Sequence, residues 1–512
     1  MASINTEKIP EPLPSDFVDS EAALSPETVN PLEDVAAVVS DNVEPFASLL
    51  PRLFALKCVA NNRYMRCESE GDVGRLMFSV EGIIFEPRTR YEVELTSTEG
   101  VVHVRCTFNN KYLRRDSGSS HWVKALATEI SEDTNRWDCT LFEVLPATQG
   151  AGQIRLRHVH LGYYLSMVSG GLAATATTPS DGSDRFTFIN CSTLVILPRY
   201  VTFKGPNGKY LKTGWQGYLQ FHSNDKREAG VTMEVLPLSD EYVKIMAGPG
   251  QPSLTFWMAD NFRIYVSFLK SMFGDVSSPL QVVRDEGNRV SFKHLVRNKF
   301  CQCRDMIGGG PNLYVADASS ITEKTKLVVE EAVMRRTLDI EWRLQDARVY
   351  NVVPYELNGS THDNNSSSPV TKSVTLTYET EVTTSFEASH TWATGITTSI
   401  ETPSIPFIGG GMQIEMSAEY GGSYTWGEST TNRRSYSETD TYTVPPRTRL
   451  VVQKLSTKGY CDVPYAYVQT DYLFNGDIIR SDKEDGVYKG VNYFNIHTSN
   501  RDEPLPQSLW VD

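Results

Sequence analysis

From Phe386 to Trp426 the chain alternates apolar and polar residues almost without a break, and the stretch holds no Lys or Arg. Phe386, Ala388, Trp392, Ile396 and Ile400 take even positions on one side; Met412, Ile414, Met416, Ala418, Tyr420, Tyr424 and Trp426 do so on the other. Between them lies an apolar tip, Pro403-Ser404-Ile405-Pro406-Phe407-Ile408, closed by Gly409, Gly410 and Gly411. A period of two predicts strands with one greasy and one wet face. At about 3.3 Å per residue each arm can reach about 50 Å, whereas a tilted membrane strand needs only about 9–11 residues. The pattern therefore predicts a β-hairpin of two long arms, able to line a transmembrane barrel. Its lipid-facing set is Ile396, Ile400, Ile405, Phe407, Ile408, Met412, Ile414 and Met416. The charges Glu387, Glu401, Glu415 and Glu419 fall at odd positions, so Glu401, Glu415 and Glu419 are expected to face a lumen. Pro403 and Pro406 suit a tip and not a strand interior.

Upstream, a shorter pattern repeats: an apolar strand followed by a turn of the form Asn/Gly-x-Tyr/Phe-apolar. The aromatic is Tyr64, Tyr112, Tyr164, Tyr210 and then Phe300. The spacing is roughly fifty residues, with a last interval of about ninety that leaves room for one degraded copy near Tyr242–Phe268. Strands such as Val101–Arg105 and Ile154–Arg157 precede the turns, and Leu141–Leu145 and Met233–Leu236 close units. Six such units form two groups of three, which predicts two β-trefoils with the turn aromatics packed inward. After about Arg335 lysine thins out and Thr and Ser dominate from Thr371 to Thr443. Val370–Thr384 and Arg433–Val444 read as Thr-rich strands flanking the hairpin and covering its apolar face, and Leu357–Pro369 as a polar loop.

The predicted organisation is all-β. An acidic disordered tail (1–50) precedes a first trefoil (51–194) and a second (195–335). An elongated antiparallel β domain (336–505) and a short tail (506–512) follow. Residues 1–50 hold ten Asp and Glu against Lys8 alone, so most of the net charge of −14 sits there. The remainder offers no basic face for nucleic acid. No apolar run is long enough for a membrane helix, and the start of the chain lacks the basic and apolar regions of a secretory signal. A cytoplasmic or nucleo-cytoplasmic site is the resulting expectation. The eight cysteines form no CxxC pair and are expected to be buried thiols, neither disulfides nor zinc ligands.

Glu99–Val104, Asn110–Leu113 and Trp137–Phe142 closely resemble the agglutinin domain of the amaranthin-type plant lectins, as do Ile154–Gly162 and Tyr200–Leu211. The Thr/Ser-rich strands around an amphipathic hairpin resemble aerolysin-type pore-forming domains. The first resemblance implies binding of galactose or N-acetylgalactosamine glycans at the loop after the Asn-Lys-Tyr-Leu turn, here Ser117, Gly118, Ser119, Ser120, His121 and Trp122. An indole stacks on a pyranose face while hydroxyls and imidazole bond to sugar hydroxyls. The chain departs from the family where Asn is expected, since Ser119 or Ser120 stands there. By the residues alone Trp122 is equally a core tryptophan. Trp257, Asp260 and Asn261 of the degraded unit are candidates for a complementary half-site.

No phosphate loop, nucleophile elbow or zinc-protease motif is present, and His158 and His160 alternate along a strand, which is poor geometry for a shared metal. Enzyme is therefore the least favoured class, with no cofactor and no metal expected. The favoured reading is a glycan-directed protein whose subunits associate on a membrane and insert hairpins. The competing readings are an intracellular lectin with a stable β domain, and a trefoil scaffold that binds proteins without sugar.

Overall fold

The computed structural model describes residues 49–69, 71–81, 86–147, 152–180, 182–239, 242–248, 256–259, 263–267, 279–306, 310–388, 397–401, 404–409, 411–417 and 427–511. All belong to the compact unit Pro45–Asp512. Among the described residues there is no α-helix; regular structure is strand, with a few single 3-10 turns.

The first twelve strands are β1 (Leu53–Cys58), β2 (Tyr64–Cys67), β3 (Leu76–Val80), β4 (Tyr91–Leu95), β5 (Val101–Cys106), β6 (Lys111–Arg115), β7 (Val123–Ala127), β8 (Leu141–Pro146), β9 (Gln153–His158), β10 (Tyr163–Val168), β11 (Gly171–Ala176) and β12 (Phe186–Asn190). Strands β1, β4, β5, β8, β9 and β12 pair in that order, and β12 returns to β1. Closure leaves this ring no free edge. The other six strands form three hairpins that meet where β11 pairs β3 and where Arg75 bridges Lys124 and Trp122 bridges Ala173.

The next twelve repeat the plan: β13 (Tyr200–Lys204), β14 (Tyr210–Thr213), β15 (Leu219–Ser223), β16 (Met233–Ser239), β17 (Tyr242–Ala247), β18 (Phe256–Ala259), β19 (Ile264–Ser267), β20 (Leu280–Arg284), β21 (Arg289–His294), β22 (Lys299–Met306), β23 (Gly310–Ala318) and β24 (Leu327–Glu331). Here β13, β16, β17, β20, β21 and β24 close the ring. The bridges Tyr218 to Tyr265 and Arg263 to Tyr314 sit at the positions of the first trefoil's two bridges. The unit that looks degraded in sequence is present as β17 to β20.

The repeated turn has a backbone cause. Its first residue is Asn62, Asn110, Gly162, Gly208 or Asn298, with φ of 58°, 55°, 67°, 75° and 52°. Asn and Gly are the residues that accept this left-handed conformation at least cost. A β-bulge follows in every one of these hairpins, beginning at the aromatic. The bulge changes which residue plugs the barrel. Met65, Leu113, Leu165, Leu211 and Cys301, each next after the aromatic, are essentially sealed in the two cores. Tyr64, Tyr112 and Phe300 are buried as expected, but Tyr164 and Tyr210 are only half-buried.

The third body comprises β25 (Val333–Trp342), β26 (Arg348–Asn364), β27 (Val370–Glu387), β28 (Thr397–Glu401), β29 (Ile405–Ile408), β30 (Ile414–Ser417), β31 (Ser429–Val444), β32 (Thr448–Leu473) and β33 (Ile478–Pro504). Its main sheet runs β28-β25-β32-β33-β27-β31, with β26 continuing along β32, and β29-β30 form a separate two-stranded piece. The segment expected as a polar loop at Leu357–Pro369 is mostly the end of β26, because its Ser, Thr and Asn residues pair with β32 from Asn358 to Asn364. The sheet is antiparallel except for β28, which runs parallel to β25 from Arg335 opposite Thr397 to Asp339 opposite Glu401.

Only Ala332, fully buried, separates β24 from β25, and with Tyr200, Val333 and Leu473 it forms a small core at this junction. Beside it Arg336 bonds Glu331 (Nη2–Oε2 2.6 Å) and Asp471 (Nε–Oδ1 2.6 Å). The first trefoil docks through its Asn110 turn. Asn110 donates to the Asp346 carbonyl at 3.0 Å, Arg343 donates to the Phe108 carbonyl at 2.9 Å, and Arg88 forks onto Glu484 at 2.8 and 2.9 Å.

All eight cysteines are buried and unpaired. His158 and His294 end equivalent strands, β9 and β21, and each accepts the backbone N–H three residues on at Nδ1, from Leu161 (3.4 Å) and Arg297 (3.3 Å). Burial depresses both imidazoles, His158 to about 4. The folded His158 thus declines a proton that the unfolded chain accepts, so its contribution is present above pH about 6.5 and is lost as pH falls toward 4. We expect acid over that window to cost about 3 kcal/mol through His158. Urea melts at pH 7 and 4.5 check this: His158→Phe should show the smaller acid loss.

Candidate functional site

The 117–122 loop joins β6 to β7, at the centre of the three-hairpin cap. It is held from below by Arg115, which is 4% exposed and donates to the carbonyls of Ser120 (Nε, 2.8 Å) and Gly118 (Nη2, 2.8 Å). The Trp122 N–H donates to Ser120 Oγ at 3.1 Å, and its carbonyl accepts the Asp116 N–H at 2.9 Å. Ser119 and His121 are exposed, while Ser117, Ser120 and Trp122 are half-buried. The hydroxyls of Ser117 and Ser119 lie 3.4 Å apart. His121 holds its Nδ1 3.1 Å from the Ala174 carbonyl, which makes that nitrogen the donor; its ring stacks on Tyr163 at 6.0 Å.

Trp122 lies over Gly171, where a Cβ would come within 2.8 Å of the indole, and Arg75 stands 5.6 Å from the ring centroid. Gly171 is therefore required by the close approach of the ring. A second indole, Trp137, was not singled out by the sequence pattern. It is 38% exposed, lies against Gly118, and has Arg114 at 5.0 Å over its ring. Nothing in the spacing of residues 118 and 137 signals that contact, which the fold alone creates. The loop and the neighbouring Trp137 thus offer serine hydroxyls, an imidazole and partly exposed indoles, chemistry suited to a polyol with an apolar face.

Trp257 is corrected. It is 1% exposed and packs edge-on against Phe203 (5.6 Å) and Phe292 (6.0 Å) in the core of the second trefoil, where no ligand reaches it. Its neighbour Met258 on β18 is buried as well, at 2% exposure. Asn261 and Asp260 lie outside the described residues.

The insertion hairpin also differs from expectation. Its described parts are not two continuous arms: β27 takes residues up to Glu387 into the Thr-rich ribbon, and β28 leaves to pair with β25. What remains at the tip is β29-β30, with Ile405 opposite Ser417, Pro406 opposite Met416, Phe407 opposite Glu415 and Ile408 opposite Ile414. Pro406 thus stands in a strand, one that pairs on a single side. Ile405 (2% exposed) and Ile408 (0%) enter a core with Phe386, Tyr465, Tyr488 and Phe494, and Ile400 and Ile414 pack against it. Met412 (57% exposed) and Met416 (38%) face outward, contrary to the even-position rule, and Phe407 is half-buried. Met412 lies in the turn itself (φ 58°), and Met416, opposite Pro406, stands outside the core that Ile405, Ile408 and Ile414 reach. Glu415 is exposed, Glu401 is placed by its backbone, and Ile396 and Glu419 lie outside the described residues.

Strands β32 and β33, more than the Thr-rich ribbon, cover the tip. Asn492 of β33, 3% exposed, donates Nδ2 to the Ile408 carbonyl at 3.0 Å and accepts the Ile408 N–H at Oδ1 at 3.3 Å. One amide side chain so satisfies both backbone groups of a residue whose own strand leaves them unpaired. The ribbon itself pairs in unbroken register from Val370 opposite Val444 to Ser385 opposite Ser429, and Val374 and Leu376 bury against Leu450 and Val452. Among the described residues no cluster of three His, Cys, Asp or Glu side chains is placed to hold a metal ion.

Residues 48–177 match the Agglutinin domain model, and residues 325–473 match the model of the Clostridium epsilon toxin ETX/Bacillus mosquitocidal toxin MTX2. The chain joins an agglutinin domain to an ETX/MTX2-type domain. These models describe binding and pore-forming domains, not enzymes. Most of the second trefoil falls between the two matched stretches, with β24 inside the second. Among solved structures, the chain resembles a lamprey immune protein (13% identity, TM-score 0.29, covering 60% of this chain and all of that one). It also resembles an aerolysin-like protein of Bombina maxima (15%, 0.23, 33% and 99%) and SeviL bound to asialo-GM1 saccharide (15%, 0.22, 27% and 98%). No curated protein matches it in sequence.

In this agglutinin–ETX/MTX2 chain the Asn492 amide is open to a direct test. Asn492→Ala leaves the N–H and C=O of Ile408 buried and unpaired, a cost of about 1–3 kcal/mol. Hydrogen exchange of residues 405–417 should then accelerate, with the trefoil amides unchanged.

Proposed function

We propose that this protein is a glycan-directed pore former. The agglutinin loop 117–122 binds galactose or N-acetylgalactosamine glycans on glycoproteins or glycolipids and gathers subunits on a membrane. Self-association follows, and the 386–426 hairpin leaves the side of its own domain to pair with its equivalents in a closed barrel. Closure is demanded because hydrocarbon tolerates no unpaired backbone amide. The protein acts from a cytoplasmic or nucleo-cytoplasmic pool, in defence or stress, and meets the membrane conditionally.

One observation carries this reading. An apolar hairpin, Ile405 to Ile414, is packed on the core of a sheet and bonded through the Asn492 side chain, and among the described residues β29 and β30 pair only with each other. A strand added only for core would ordinarily pair with its neighbours. The second reading, a lectin whose β domain never inserts, is supported by the parallel pairing of β28 with β25, which anchors part of the same segment.

Glycolipid vesicles decide between them. Ile408→Cys with Gly459→Cys ties the tip to β32; a Cβ at residue 459 would lie 2.9 Å from both the Ile408 side chain and the Phe494 ring, so Ile408→Cys frees one side and the Phe494 ring must shift on the other. Dye leakage should vanish in the oxidised protein and return on reduction. Wild-type protein that saturates such vesicles without leakage removes the pore-forming reading.

The lumen-facing carboxylates give a second expectation. Pores in planar bilayers should prefer cations, and Glu415→Gln should reduce that preference; an anion-selective wild type reverses the assigned orientation.

A further inference from the structure

The groove between β26 and β27 has a volume of about 450 Å³ and is walled by tyrosines and paired charges. Tyr355 of β26 is 44% exposed and meets Tyr493 of β33 edge-on at 5.1 Å. Tyr378 of β27 closes the floor at 6% exposure, its hydroxyl bonded to Glu438 at 2.6 Å. On the rim, Arg433 of β31 reaches Glu381 at 3.3 Å, and Glu379 accepts the Ser435 hydroxyl at 2.9 Å. The position is distant in sequence from the agglutinin loop and is built wholly by the ETX/MTX2-type body.

The geometry points to a second carbohydrate site in this groove, one that takes a single pyranose. An exposed tyrosine face suits the C–H face of a sugar ring. A carboxylate and a guanidinium held side by side supply acceptor and donor to neighbouring hydroxyls, and each keeps spare capacity after bonding the other. The space accommodates a pyranose, and the walls are too polar for an acyl chain. An aromatic nest lined by carboxylates also suits a quaternary ammonium. Here, however, Lys454 stands 5.1 Å from the Tyr378 centroid and Lys458 stands 5.8 Å from that of Tyr493. Those ring faces already carry cations, so the groove favours a neutral ligand. Four strands contribute to it, so an occupied groove ties the β27-β31 ribbon to β26 and β33.

Hydrogen exchange of the full chain tests this separately from the agglutinin loop. The probes are galactose, N-acetylgalactosamine, glucose and mannose at high millimolar concentration, with phosphocholine as the cationic comparison. At least one sugar should slow exchange in residues 374–382. Tyr355→Ala should weaken that effect about tenfold, a loss of about 1.4 kcal/mol, and Glu381→Gln should weaken it too. Protection at residues 113–125 reports the agglutinin loop independently and should be unchanged in both variants. No protection of 374–382 by any of the four sugars overturns the assignment, whatever the loop does. Protection by phosphocholine alone also overturns it, in favour of a lipid headgroup.

Discussion

An apolar strand that lies on a sheet without joining it can be held only by what it buries and by what its backbone bonds to. For β29 both are supplied at one place. Ile405 and Ile408 fill a core built around Phe386, Tyr465 and Tyr488, and Asn492 takes both backbone groups of Ile408. Full burial of two isoleucines is worth about 3–6 kcal/mol, and the side-chain pairing prevents a desolvation penalty more than it adds stability. Holding the tip therefore rests on a few contacts, while the sheet beneath rests on the long register of β32 with β33.

The trefoils were legible because backbone geometry leaves a mark in residue type. A left-handed residue calls for Asn or Gly, and that requirement recurs at Asn62, Asn110, Gly162, Gly208 and Asn298. The bulge one step later leaves no such mark. Side-chain periodicity assumes a strand without extra residues, so the plugging role of Met65 and Leu113 was hidden behind the more conspicuous tyrosines. The unit around Trp257 shows the opposite failure: an indole in a run with weak repeat character looks free for binding, and tertiary closure makes it core.

In the third body, alternation identified strand and amphipathic face, but it carries no information on partners. The Thr-rich strands pair with each other as their composition suggests. The parallel partnership of β28 with β25 joins residues some sixty positions apart, and no local pattern encodes it. Met412 and Met416 face outward although the even-number phase survives the turn, since Ile408 stands opposite Ile414. Alternation marks a face but not how far the core beneath it extends, and this core ends at Ile405, Ile408 and Ile414. The agglutinin loop was placed correctly in sequence as a connection, yet Trp137 reaches it only through folding.

Ala332 has a mechanical corollary. With one sealed residue between β24 and β25, the second trefoil and the long-stranded body share no slack tether. A displacement of the second trefoil is therefore passed to β25 through a single residue. Since β28 runs parallel to β25 and pairs with it from Arg335 to Asp339, the same rigid joint leads on to the segment that β28 anchors.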